Sequence, residues 1–157
     1  MNNKKTESIL IEARNYFAFL FEMGYQVQSI NYYPQTFGNW NIVLASKESI
    51  LEICEDRSEI LVYFIPLNRD RRYKIGLKAM IYYLTQGQKF IGVFEGNLFW
   101  KKKKQLEETA NLLKDYISQS VPYFGNNFQD YREELLSAQR KYFELRVNQI
   151  HKKKRGN

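Results

Sequence analysis

Between residues 25 and 65, four short runs rich in β-branched and aromatic residues follow one another with only a few polar residues between them. That spacing constrains the fold more than any other feature. The runs are 25–33, ended by Pro34, then 40–46, 49–54 and 60–65, the last ended by Pro66. The connections are 36–39, 47–48 and 55–59. A parallel pairing needs a crossover of about a dozen residues or more, so these runs pair as antiparallel neighbours. Trp40, Ile42 and Leu44 alternate with Asn41, Val43 and Ala45, which puts the two sets on opposite faces of one strand.

Helical periodicity flanks this meander. Ile9, Ala13, Phe17 and Leu20 recur at helical spacing over residues 6–23, and Leu10 and Phe21 widen the stripe. Thr6 suits the N-cap of that helix and Gly24 its C′ position. Residues 67–73 read as a charged loop. A second helix over 74–86 carries Leu77, Met80, Ile81 and Leu84 and is closed by Gly87. Within 89–100, residues 90–94 read as a short strand and Glu95-Gly96-Asn97 as a turn. A helix over 102–121 places Leu106, Ala110, Leu113, Ile117 and Val121 on one face, and Pro122 and Gly125 break it. Residues 128–150 then carry Phe128, Tyr131, Leu135, Ala138, Tyr142 and Leu145, spaced alternately by three and four.

The expected fold is α+β: an N-terminal helix on a four-stranded antiparallel meander, a second helix, then a C-terminal antiparallel helical hairpin. Residues 1–100 form the sheet domain. The hairpin, 101–150, packs on it or projects from it, and 151–157 is expected to be a disordered basic tail. A chain of 157 residues is the size of one ordinary domain and needs no disulfide or metal to fold.

The side chains that usually carry catalysis are sparse. There is no phosphate-cradling Gly-rich loop, no Gly-x-Ser-x-Gly and no His-Glu-x-x-His. The single histidine, His151, lies in the basic tail, where general-base geometry is hard to hold. The single cysteine, Cys54, lies in an apolar run and reads as a small buried hydrophobe. Glu12, Glu52, Asp56 and Glu59 fall where a metal-dependent nuclease would place its carboxylates, but the run 59–65 lacks the lysine such a site needs. No cofactor or metal is expected, and the expected role is not catalytic. No apolar run approaches the ~20 residues of a membrane helix, so no membrane partner and a cytoplasmic location are expected.

Charge is uneven. Residues 1–100 hold 11 Lys and Arg against 10 Asp and Glu, whereas residues 101–157 hold 13 against 7. Three basic clusters result: Arg69, Arg71, Arg72 and Lys74; Lys101, Lys102, Lys103 and Lys104 beside Trp100; and Lys152, Lys153, Lys154 and Arg155. Such clusters neutralise phosphates, and Trp100 and Tyr73 are placed to stack on bases, so nucleic acid is one candidate partner. The alternative is a solvated, solubilising surface.

A second candidate surface is aromatic. Tyr32, Tyr33, Phe37 and Trp40 crowd one hairpin. Exposed, they would anchor a protein partner; buried, they would pack beneath the first helix. Phe37-Gly38-Asn39, Val43-Leu44, Glu55-Asp56-Arg57, the run 60–65 and Leu84-Thr85-Gln86-Gly87 together resemble a group of small bacterial proteins. Some members resemble immunity proteins of polymorphic or contact-dependent toxin systems. The resemblance covers about residues 6–87. It implies a helix packed on an antiparallel sheet, and a function of blocking a toxin by binding it. It adds Arg57 to the protein-binding set. The group's turn carries Gly after Asp-Arg, where this chain has Ser58.

Overall fold

The computed structural model of the protein describes residues 2–92 and 101–156. Two helices, α1 (Asn2–Tyr16) and α2 (Ala18–Glu22), lead into strands β1 (Gln26–Tyr33), β2 (Asn39–Ala45), β3 (Ile50–Asp56) and β4 (Glu59–Ile65). A short strand β5 (Ile75–Gly76) runs directly into α3 (Leu77–Leu84), and α4 (Lys101–Ser120) and α5 (Phe128–Arg155) follow. The sheet is antiparallel throughout, in the order β1-β2-β3-β4-β5.

The α+β class and the antiparallel meander agree with the sequence reading, but the sheet has five strands rather than four. β5 lies where the second helix was expected to begin. Gly76 is extended there (φ −68°, ψ 145°), and the helix starts only after it. The N-terminal helix also differs. It begins at Asn2 and breaks at Phe17, whose φ of −114° and ψ of 30° are not helical. Thr6 is therefore inside the helix, donating to the carbonyl of Asn3, and is not its cap. Gly24 does occupy C′, at φ +91°. Its N–H donates to Phe21 and that of Tyr25 to Leu20, the paired bonds of a Schellman ending.

Register aligns the apolar rows that make the core. Leu44 lies opposite Leu51, and Leu51 opposite Phe64; Ile42 lies opposite Ile53, and Ile53 opposite Val62. All six are buried, as are Phe17 and Leu20 from the N-terminal helices. From the C-terminal side, Leu106, Leu113, Phe124, Phe128 and Leu135 join the same cluster. Phe64 stacks on Phe124 at 5.1 Å, which stacks on Phe128 at 5.8 Å. The helices thus cover one face of the sheet. On the other face Val43, Ile50 and Ile65 form a small cluster capped by Leu67.

The expected helical hairpin does not zip together. α5 packs chiefly on α3, and α4 chiefly on β4. α3 buries Leu77, Ala79, Met80 and Ile81, so its apolar surface goes nearly all the way round and accepts both neighbours. Residues 151–155 continue α5 as helix, where a disordered tail was expected. Lys152–Arg155 are cations at a helix C-terminus, where the macrodipole favours them. Residues 101–104 form the first turn of α4, which begins one residue before the expected helix. Of the strand expected over 90–94, residues 90–92 are not β; the rest, with the expected Glu95-Gly96-Asn97 turn, lies outside the described residues. No helix among the described residues is long and apolar enough to cross a membrane.

Candidate functional site

One end of the sheet carries both tight hairpins. The β1–β2 connection is closed by the Thr36 N–H donating to Tyr33 O at 3.1 Å and the Asn39 N–H donating to Thr36 O at 3.0 Å. Its apex residues Phe37 and Gly38 are left-handed, at φ 58° and 74°. The β3–β4 connection is the two-residue turn Arg57-Ser58, at φ 49° and 67°. Two successive positive φ values are the signature of a type I′ turn, which strand twist favours but which normally recruits Asn and Gly. Ser58 is thus a non-glycine residue in the left-handed region.

Two amides hold these turns. Asn39 donates through Nδ2 to Asp56 Oδ1 at 2.9 Å and accepts the Arg57 N–H at its Oδ1, 3.0 Å away. From the other side Gln105 of α4, only 4% exposed, accepts the Ile60 N–H at 2.8 Å and donates to Ser58 O at 2.9 Å. Gln105 did not stand out in the sequence, and Asn39 did so only as the last residue of Phe37-Gly38-Asn39. Gln105 left one readable signal: it sits one turn before Thr109 on the flank of the apolar stripe, and both are buried.

The hairpin aromatics divide. Phe37 is 89% exposed, and Tyr33 is exposed beside it. Tyr32 is half-buried against the core, with Lys5 Nζ 5.9 Å from its ring. Trp40, by contrast, is only 3% exposed, and its Nε1 donates to Glu55 Oε2 at 2.6 Å. Trp40 is therefore a core residue whose polar edge is already satisfied, not a free anchor. Arg57 is exposed on the turn.

The basic candidates also divide. Arg71 and Lys74 both bond to Glu52, Lys74 at 3.1 Å. Arg72 grips Asp70 with two hydrogen bonds, 2.9 and 2.7 Å, and that pairing holds the Asp70 carboxyl below its usual range. Lys102 bridges Glu12 and Glu55, each at 3.1 Å. Burial alone would lower the pKa of Lys102, but the two carboxylates raise it, so it stays charged. Arg69, Lys103 and Lys104 are exposed, as are Lys152, Lys153, Lys154 and Arg155, while Lys101 is half-buried. Trp100 lies outside the described residues. α5 passes Glu59, beside the Arg57-Ser58 turn, at Arg146. The nine residues beyond Arg146 extend about 14 Å further in the same direction at helical rise. The exposed lysines of both helices therefore share the end of the sheet that bears Phe37 and Arg57.

The four carboxylates weighed as a metal site do not converge. Glu12 lies on Lys102, Asp56 on Asn39, and Glu59 on Arg146. Glu52 is 3% exposed on the face opposite the helices, where it also accepts from Asn41 Nδ2 at 2.7 Å. Burial pushes its pKa up, but Asn41, Lys74 and Arg71 outweigh that and hold it below the usual carboxylate range. Among the described residues no three His, Cys, Asp or Glu side chains gather as a metal-holding group. Cys54 lies in the same row, its thiol pushed up to about 12 by burial and by neighbouring Glu52, so it is a neutral thiol at pH 7. His151 is on the exposed end of α5. Compared with protein-family models, curated proteins and solved structures, the chain shows no significant match to any of them.

Proposed function

We propose that the chain is a non-catalytic, cytoplasmic protein-binding module, an immunity-type inhibitor or assembly partner, and that its binding surface is the hairpin end of the sheet. One observation carries this reading: Phe37 is a bulky aromatic residue, 89% exposed, in a left-handed conformation that side chains of its kind avoid. Neither property helps the fold. Asn or Gly would make the turn at lower cost, and an apolar ring in water contributes nothing to the core. Strain of about 1–3 kcal/mol at such a position persists where the surrounding structure imposes it, and such residues cluster at sites of recognition. Here Asn39 and Gln105 brace the adjacent turn. Tyr33 of the same hairpin and Arg57 of the neighbouring turn are also exposed, and aromatic and arginine side chains dominate binding hot spots. The cations nearby favour a partner with an acidic rim around an apolar pocket.

The same end also fits a single-stranded nucleic acid, through ring stacking and phosphate neutralisation. Two observations rank that reading second. Lys74, Arg71, Arg72 and Lys102 are already paired with carboxylates. Trp40, the larger ring, is buried. A photo-crosslinking phenylalanine analogue placed at position 37 in the native cell separates the two. A crosslinked protein band that survives nuclease treatment supports the module. Crosslinks only to RNA or DNA, or none at all, overturn it.

A further inference from the structure

The two edges of the sheet are finished differently. On the β4–β5 side, two glutamine amides occupy the positions of a missing strand. Gln105 bonds the Ile60 N–H and Ser58 O. Gln139 of α5 accepts the Gly76 N–H at 2.8 Å and donates to Lys74 O at 3.1 Å. Each amide serves the N–H of one residue and the C=O of the residue two before it, as a neighbouring strand would. No counterpart reaches β1 among the described residues, and β1 has β2 on one side and no strand on the other.

An open edge is usually protected by charge, proline or shortness. β1 is eight residues long and reads Gln-Val-Gln-Ser-Ile-Asn-Tyr-Tyr, with no charge and no proline. Its single irregularity is the bulge between Val27 and Ser29, which leaves residues 29–33 in regular register with β2. Beside that regular stretch a groove opens between the edge and α1, lined by Lys4, Glu7, Leu10, Ile30 and Tyr32.

We propose that β1 pairs antiparallel, across a two-fold axis, with β1 of a second copy of this chain, joining two five-stranded sheets into one. Charge and chemistry select this occupant. The basic last turn of α5 belongs to a helix that packs at the β5 side, whereas the basic first turn of α4 reaches α1, beside β1, through Lys102 and Glu12. Pairing through β1 keeps the two α5 clusters apart, whereas contact through the other edge would bring them together. The strand itself is neutral, so a two-fold axis brings no like charges together. With the axis at the middle of the regular stretch 29–33, the exposed Asn31 amide, which both donates and accepts, lies opposite its own copy. It already donates to Asn41 across the inner ladder, at 2.9 Å.

Sedimentation equilibrium of the full chain over a concentration series, with hydrogen exchange read on β1, tests the pairing. The average mass is expected to rise from 18.9 kDa toward twice that value. Alternate amides of residues 29–33 should slow as it does. Gln28→Lys with Asn31→Lys, both exposed positions, should leave circular dichroism unchanged and weaken association at least about tenfold, because the lysine at position 31 meets its own copy across the axis and the one at position 28 adds like charge beside it. A chain that stays at 18.9 kDa throughout overturns the proposal. So does a dimer indifferent to both lysines, or β1 protection that appears only when a different protein is added.

Discussion

The two flanks of the sheet resolve the same physical problem in opposite ways. On the β4–β5 flank ladder groups are closed from outside the sheet, with Gln105 and Gln139 as surrogate backbone groups, and Glu52 draws Arg71 and Lys74 down over β3. On the β1 flank the ladder is open, and its hairpin carries an exposed Phe37 in a strained conformation. A closed flank secures the fold. An open one retains hydrogen-bonding capacity and apolar surface that folding has not used, which is what recognition requires.

The closed flank should therefore be the costly one to disturb. Gln105→Leu keeps the volume but orphans the buried Ile60 N–H, and it should lower stability by about 2–3 kcal/mol in urea unfolding. Gln139→Leu removes a half-buried cap, which water can partly replace, and should cost about 1 kcal/mol. Equal losses at the two sites would show that burial does not grade these caps.

Glu52 supplies a pH signature for the same flank. Its folded pKa lies below the ordinary carboxylate value, so its contribution is complete above that value and disappears as pH falls through the folded pKa. Denaturant midpoints should fall from about pH 5 downward, and Glu52→Gln should flatten that part of the profile. An acid limb unchanged in Glu52→Gln would mean that other carboxylates hold the 71–76 segment in place.

The sequence displayed the open flank better than the closed one. Strand boundaries, the placing of Trp40, Ile42 and Leu44 on one shared face, and the Gly24 helix ending all follow from local alternation and turn chemistry. β5 did not, because two residues carry no alternation and Gly76 is compatible with several conformations. The caps were hidden for a different reason. Gln105 and Gln139 lie 45 and 63 residues from the groups they satisfy, and nothing local marks a glutamine as bonded to a distant strand edge. The aromatic hairpin was legible as a cluster, but not in its division: whether Trp40 turns inward or Phe37 outward depends on the β2–β3 pairing that offers Glu55 to the indole N–H. The helical hairpin failed because periodicity predicts an apolar face without naming its partner, and α3 took that face of α5.

Phe37 provides the finest test of the contrast, since its expected effect on stability is small and opposite in sign to the others. Asparagine tolerates the left-handed region far better than phenylalanine. The ring is almost wholly in water, so removing it opens no cavity. Phe37→Asn should therefore raise stability, by up to about 1 kcal/mol, while abolishing capture of the partner at that position. If thermal unfolding instead shows Phe37→Asn to be destabilised, the ring has a folding role, and the open flank is less distinct from the closed one than its geometry implies.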